Sequence, residues 1–129
     1  MGVKGIGGFF FRARDPDALT AWYRDRLGVG AGCDGTGTGA VAEWAWMTAG
    51  GPVVFAPFKA ATDYWPADRQ VMLNLRVEGL SELLADLQAA GVEAETRPEW
   101  DDPLTGRFAR IHDPEGNPIE LWEPPSAAS

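Results

Sequence analysis

One cysteine and one histidine stand among 129 residues. Cys33 has no partner for an intrachain disulfide, so nothing in the sequence calls for an oxidising compartment. His112 alone excludes any site needing two histidines from one chain, the two-His-one-carboxylate iron site among them. Basic residues are also scarce, 11 Lys and Arg against 19 Asp and Glu, for a net charge of −8. Such a chain repels phosphate backbones and anionic lipid, so neither nucleic acid nor membrane is expected as a partner. A small neutral or cationic molecule fits the charge better. No apolar run is long enough to span a bilayer, and residues 1–8 carry no signal-peptide pattern. The expected location is the cytoplasm.

What remains is enough for one domain over 1–129. Hydrophobic residues are 45% and charged residues 23%, ordinary for a globular fold, and a chain this long buries a core without staples. Gly5 to Arg14 reads as a strand. Asp15-Pro16 supplies an N-cap and a proline at the first helical position. Leu19, Trp22 and Tyr23 then mark a helix face, and Gly28 ends the helix. A glycine-rich loop covers 30–39. Val41 to Thr48 and Pro52 to Phe58 read as strands around the turn at 49–51, and 59–69 as a linker. Gln70 to Val77 alternates as a strand. Leu80, Leu83, Leu84 and Leu87 form a helical stripe stopped by Gly91. Val92 to Arg97 reads as a short strand. Phe108 to His112 and Pro118 to Trp122 are strands around the turn at 113–117, and the tail frays from Pro124.

The order of elements repeats. LGV at 27–29 matches AGV at 90–92, and GGPVVF at 50–55 matches GNPIEL at 116–121. The offsets, 63 (90 − 27) and 66 (116 − 50), agree closely enough to imply duplicated halves, about 1–60 and 68–124.

Three segments, FFFRARDPDALTAWYRDRLGV at 9–29, LNLRVEGLSELLADLQAAGVEAE at 73–95 and GRFARIHDPEGNPIELWEP at 106–124, resemble the vicinal oxygen chelate superfamily. That superfamily holds glyoxalases, bleomycin-resistance proteins and extradiol dioxygenases. The resemblance implies an α+β fold of two tandem βαβββ modules, their mixed sheet curled around one cavity. It also implies a homodimer.

Strand alternation then assigns the faces. Val71, Leu73, Leu75 and Val77 are expected against the helices. Gln70, Met72, Asn74 and Arg76 are expected toward the cavity. In the last hairpin, pairing 111 with 119 and 110 with 120 puts Ala109, Ile111, Ile119 and Leu121 on the core side. Phe108, Arg110, His112, Pro118, Glu120 and Trp122 then face the cavity. A one-residue slip would bury Arg110 beside Ile119. From the first half, Gly8, Phe10, Arg12, Val54, Ala56 and Phe58 face the same way.

In the superfamily, a divalent metal is held by the first and last strands of each half. Carried across, those positions are Gly8, Val54, Met72 and Glu120, the first and third to within one residue. Only Glu120 binds a hard cation, so no metal and no cofactor are expected. An irregular set of Glu120, His112 and Gln70 or Asn74 is the one remaining combination. The carboxylate of Glu120 is expected to pair with Arg110, Arg12 or Arg76.

Other constellations carry less. Gly30 to Gly35 satisfies G-x-G-x-x-G, but a helix precedes it and a strand follows, the reverse of the nucleotide-binding order. Ser81, Ser126 and Ser129 form no triad, and Cys33 with His112 is the only thiol-base option. His112 is the best single acid–base candidate by its titration range. Of the six tryptophans, Trp22 is expected in the helix core. Trp44 and Trp46 are expected on one strand face, Trp122 in the cavity, and Trp65 and Trp100 at its rim. Three functions fit. The first is a metal-independent module sequestering a small, aromatic or cationic molecule, as bleomycin-resistance proteins do. Its ligand-binding residues would be Phe10, Arg12, Trp44, Trp46, Val54, Phe58, Met72, Asn74, Arg76, Phe108, Arg110 and Trp122. The second is an enzyme, a lyase, isomerase or hydrolase, with Glu120 and His112 as its catalytic groups. The third is an interaction protein whose aromatic face serves dimerisation.

Overall fold

A computed structural model of the chain describes residues 2–30 and 41–125. Cys33, most of the 30–39 loop with its G-x-G-x-x-G pattern, and Ser126 and Ser129 lie outside them. The described elements are β1 (Gly2–Ala13), α1 (Pro16–Leu27), α2 (Val41–Trp44), β2 (Trp46–Thr48), β3 (Gly51–Lys59), β4 (Val71–Glu78), α3 (Leu80–Ala89), a 3₁₀ turn (Pro98–Trp100), β5 (Arg107–His112) and β6 (Pro118–Glu123).

The six strands make one open mixed sheet in the order β2-β3-β1-β4-β6-β5. Its two halves are mirror-ordered about the antiparallel β1–β4 pair, and each half joins its first and last strands in parallel. This is the α+β architecture expected for duplicated halves. One row crosses the sheet at its centre: Val54 beside Gly8, Gly8 beside Asn74, Asn74 beside Glu120. Gly8 to Asn74 and Val54 to Glu120 are both 66 positions apart (74 − 8 and 120 − 54), the same offset as the hairpin motifs. The counterpart of Gly8 is therefore Asn74, and the assignment of Met72 to that position is corrected. β1 carries two register irregularities against β4, which defeat counting by twos.

Local chemistry explains the elements. Asp15 Oδ1 accepts from the Ala18 N–H at 3.1 Å, and Gly28, at φ 69°, closes α1 in the left-handed conformation that glycine adopts without penalty. α1 packs only partly: Tyr23 meets Phe11 and Phe55, whereas Trp22 is 51% exposed and not core. Trp22 sits at the edge of the stripe and lies edge-on to Tyr23 instead. α3 buries Leu80 and packs Leu83, Leu84 and Leu87 on Val77, Ala109 and Leu121. β5 and β6 pair as expected, Ile111 with Ile119 and Arg110 with Glu120. Asp113 holds the intervening turn by accepting from the N–H groups of Glu115 and Asn117 and from the Asn117 amide, each at 2.9 Å.

Two expected strands are altered. Val41 to Thr48 is not one strand: Val41–Trp44 is a helical turn and only Trp46–Thr48 is extended, so Trp44 and Trp46 share no strand face. Val41 and Ala45 are both buried, a spacing of four that suits a helix as well as a strand. Val92 to Arg97 shrinks to a single bridge in which Glu95 and Arg110 exchange two backbone hydrogen bonds of 2.8 Å.

The 59–69 segment is tied down. The Arg12 guanidinium donates to the carbonyls of Ala60, Thr62, Trp65, Pro66 and Arg69 at 2.8–3.1 Å and lies over the Trp65 ring. Trp65 is therefore 3% exposed, packed on Phe10 and Met72, and is core rather than rim. This strap sets Tyr64 against Glu120 of β6.

Candidate functional site

The face of the sheet that bears Glu120 is covered by two apolar clusters. Phe10, Trp65 and Met72, with Val54, Ala56, Phe58 and Tyr64 against them, form one. Val41, Ala45 and Trp122, joined by Trp44 and Phe108, form the other. Around them stand four polar side chains: Tyr64, Asn74, Arg110 and Glu120.

Glu120 is 3% exposed on β6. Asn74, beside it on β4, donates through Nδ2 to Oε1 at 2.6 Å. The Tyr64 hydroxyl donates to Oε2. Burial pushes the Glu120 carboxyl above its ordinary range, opposed by the Tyr64 and Asn74 hydrogen bonds and by the charge of Arg110. Tyr64 is also pushed up, first by burial and then by the charge and hydrogen bond of Glu120, with Arg110 opposing. The phenol thus keeps its proton. The Arg110 guanidinium lies 4.8 Å from the Tyr64 ring centre and 5.6 Å from that of Trp100, and is 6% exposed. Cation–π contact replaces part of its lost hydration. Phe58 stacks on Tyr64, 5.9 Å away with planes 10° apart.

Glycine makes room for this network. A Cβ at Gly7 would stand 2.3 Å from Asn74 Oδ1 and 2.9 Å from both the Arg76 amide nitrogen and Trp122 Cε3. At Gly8 it would stand 2.9 Å from the Val54 carbonyl oxygen.

The row Val54, Gly8, Asn74, Glu120 does not fit a divalent metal. Two of the four positions, Val54 and Gly8, carry no side-chain donor atom. Among the described residues, no three His, Cys, Asp or Glu side chains converge.

The other expected site residues divide. Asn74, Arg110 and Glu120 meet, and Phe58 flanks them. Phe10, Met72 and Val54 form the apolar floor. Trp122 is buried, donates to the Thr105 carbonyl at 2.7 Å and lies parallel to Phe108 at 6.4 Å. Trp44 packs on Trp122 at 5.9 Å. Trp46 is half-buried on β2. Arg12 and Arg76 do not reach Glu120. Arg12 holds the strap, and Arg76 donates to the carbonyls of Ile6, Gly50 and Pro52. His112 is exposed at the end of β5, opposite Pro118. Tyr64 is the functional group that sequence reasoning leaves in a linker. Its only advertisement is the aromatic pair Tyr64-Trp65 before Pro66.

An opening of about 1300 Å³ lies at the end of the sheet. Arg76 is the only expected ligand residue on its wall, which also includes Lys4, Glu78, Arg107 and Glu123. Those charges already pair, Lys4 with Glu78 at 3.8 Å and Arg107 with Glu123 at 3.5 Å. The Glu120 cluster is the better chemical candidate, because its polar groups are buried and two donors of Arg110, Nε and Nη2, have no partner.

The model of the glyoxalase-like domain family matches residues 8–122. No curated protein matches the sequence. Among solved structures, the chain is similar to methylmalonyl-CoA epimerase from Mycobacterium tuberculosis, with 21% identity over 97% of this chain and 91% of that one and a TM-score of 0.66. It is similar to the 2,3-dioxygenase LapB from Pseudomonas sp. KL28, with 24% identity over 96% of this chain and 42% of that one and a TM-score of 0.64. It also resembles the Mn(II)-bound glyoxalase from Novosphingobium aromaticivorans, with 22% identity over 95% of this chain and 39% of that one and a TM-score of 0.58. The chain spans less than half the length of the last two. These likenesses carry the fold, and the three named activities differ from one another.

Proposed function

Because the chain belongs to the glyoxalase-like domain family of the vicinal oxygen chelate superfamily, we propose that it holds a small aromatic molecule on the sheet face that bears Glu120, without a metal, as a sequestering module. One observation carries this reading. Both oxygens of Glu120 are committed to Tyr64 and Asn74, whereas the adjacent Arg110 keeps unpartnered donors. A general base must reach its substrate's proton. Glu120, held on each oxygen by a protein donor, suits a role in organising the site. The aromatic flanks, Phe58, Tyr64 and Trp100, are the surfaces that ring-bearing ligands prefer.

The upward pKa of Glu120 favours a second reading, an enzyme of the same superfamily using that carboxyl as an acid. A homodimer belongs to the first reading and draws support from Val3, Ile6, Phe9 and Val71, apolar side chains left exposed along β1 and β4. A cytoplasmic location is likewise proposed. No helix among the described residues is long and apolar enough to cross a membrane.

The test is a tryptophan-fluorescence titration with neutral, cationic and anionic single-ring aromatics, run with and without EDTA. Saturable quenching that ignores EDTA and diminishes in Trp100→Phe is expected. Stoichiometric zinc, nickel, iron or manganese in the purified protein, lost on Glu120→Gln, would overturn the metal-free reading. Turnover of any probe, abolished by the same substitution, would favour the enzyme.

A further inference from the structure

We propose that Arg110 receives a carboxylate of the bound molecule side-on, through Nε–H and one N–H of Nη2, so that the ligand is a small aromatic acid. The inference rests on the ligand reading above and replaces the cationic ligand that net charge alone suggests.

The geometry is specific. Arg110 is more than nine-tenths buried, and its Nε and Nη2 both lack a hydrogen-bond partner. In a guanidinium these two nitrogens share one edge, with N–H vectors nearly parallel and spaced for the two oxygens of one carboxylate. The guanidinium is held between its neighbours and its own backbone. Tyr64 and Trp100 lie against it, and the Arg110 backbone is pinned by two hydrogen bonds to Glu95. The neighbouring acid does not fill the fork as placed: Glu120 binds Asn74 and Tyr64, and neither Nε nor Nη2 of Arg110 has a hydrogen-bond partner. Native cores rarely leave buried donors unmatched, and two on one edge mark a missing acceptor with two oxygens.

Charge and shape narrow the class. Arg110 is the cation of the network, and Glu120 already stands near it. A phosphate dianion would bring one more negative charge than a carboxylate, with no second cation in the network to meet it. Trp100 sits on a single 3₁₀ turn whose neighbours Glu99 and Asp101 are exposed. Entry therefore displaces one side chain rather than a strand.

The experiment compares benzoate, benzamide, benzylamine and phenyl phosphate on the intact chain. Tryptophan fluorescence gives affinity, and the arginine Nε–H region of the ¹H–¹⁵N spectrum gives the contact, with Arg110→Lys identifying the resonance. Benzoate is expected to saturate and to shift the Arg110 Nε–H signal. Benzamide is expected to bind at least ten-fold more weakly, as is benzoate to Arg110→Lys. The wild-type benzoate–benzamide comparison stands even if the variant folds poorly. Benzamide or benzylamine binding as well as benzoate would overturn the fork and leave the ligand site standing. Phenyl phosphate shifting the same signal at lower concentration would overturn the choice of a carboxylate. No binding by any of the four would overturn the fork and the ligand site together.

Discussion

Tyr64 and Glu120, 56 residues apart in sequence, are joined by a hydrogen bond in which the phenol donates to the carboxyl. The bond fastens the strap between the two halves to the last strand of the sheet.

Removing that hydroxyl leaves a buried oxygen unmatched. Tyr64→Phe keeps the stacking on Phe58, so the loss isolates the hydrogen bond. A destabilisation of about 1–3 kcal/mol is expected in urea unfolding at neutral pH. The Glu120 carboxyl should titrate still higher, because Tyr64 is the foremost group holding it down. A ¹³C titration of the carboxyl checks the second point, and an unchanged midpoint would contradict it.

Glu120 also sets a pH dependence whose sign is fixed. Its native pKa lies above the unfolded value of about 4.3. Between the two, the native state holds a proton that the unfolded chain has released. Stability therefore declines as pH rises through that interval. Glu120→Gln removes the titration, and its unfolding free energy should not show that decline. A wild type no more pH-dependent than the variant would refute the assignment.

Asp113 acts in the opposite sense. The hydrogen bonds from Asn117 hold its carboxyl below the ordinary range. Its contribution is fully present above the unfolded pKa and is lost as pH falls through the native one. Asp113→Asn should lower the thermal midpoint at pH 7 and converge with wild type in acid. Equal loss at both pH values would show that the turn is held by shape alone.

Gly7→Ala places a methyl against the Arg76 backbone nitrogen, which cannot retreat without breaking the sheet. We expect a cost of about 1–3 kcal/mol, together with weaker ligand binding, since Asn74 must move. Unfolding and titration on the same sample would show whether the two losses travel together.

Arg12→Met is expected to cost about 3 kcal/mol, since five carbonyls lose charged donors. The consequence for function is indirect. A loosened strap withdraws Tyr64, so this variant should also acquire the Glu120 titration of Tyr64→Phe. A normal carboxyl titration would show that Tyr64 is held by its own contacts.

Much of this was legible in the sequence, and the reasons are local. The β5–β6 register followed from the cost of burying Arg110 beside Ile119, and α1 and α3 from their glycine stops and apolar spacing. Glu120 and Arg110 were placed correctly for the same reason. Val41–Trp44 misled because Val41 and Ala45 satisfy both strand and helix periods in so short a window. Asn74 was displaced to Met72 because the irregularities of β1 lie in backbone pairing, which side-chain pattern does not record. Tyr64 was missed because its partner is distant in sequence. No spacing rule links a strap to a strand 56 residues later.

The central row, Val54–Gly8–Asn74–Glu120, makes the duplicated architecture functionally lopsided. The leading copy contributes hydrocarbon and bare backbone there, and the trailing copy contributes every hydrogen-bonding side chain. Changes of volume at Val54 should therefore retune which molecules fit, while changes at Asn74 or Glu120 should decide whether anything fits at all. On the proposed ligand reading, one flank is open to variation and the other is not.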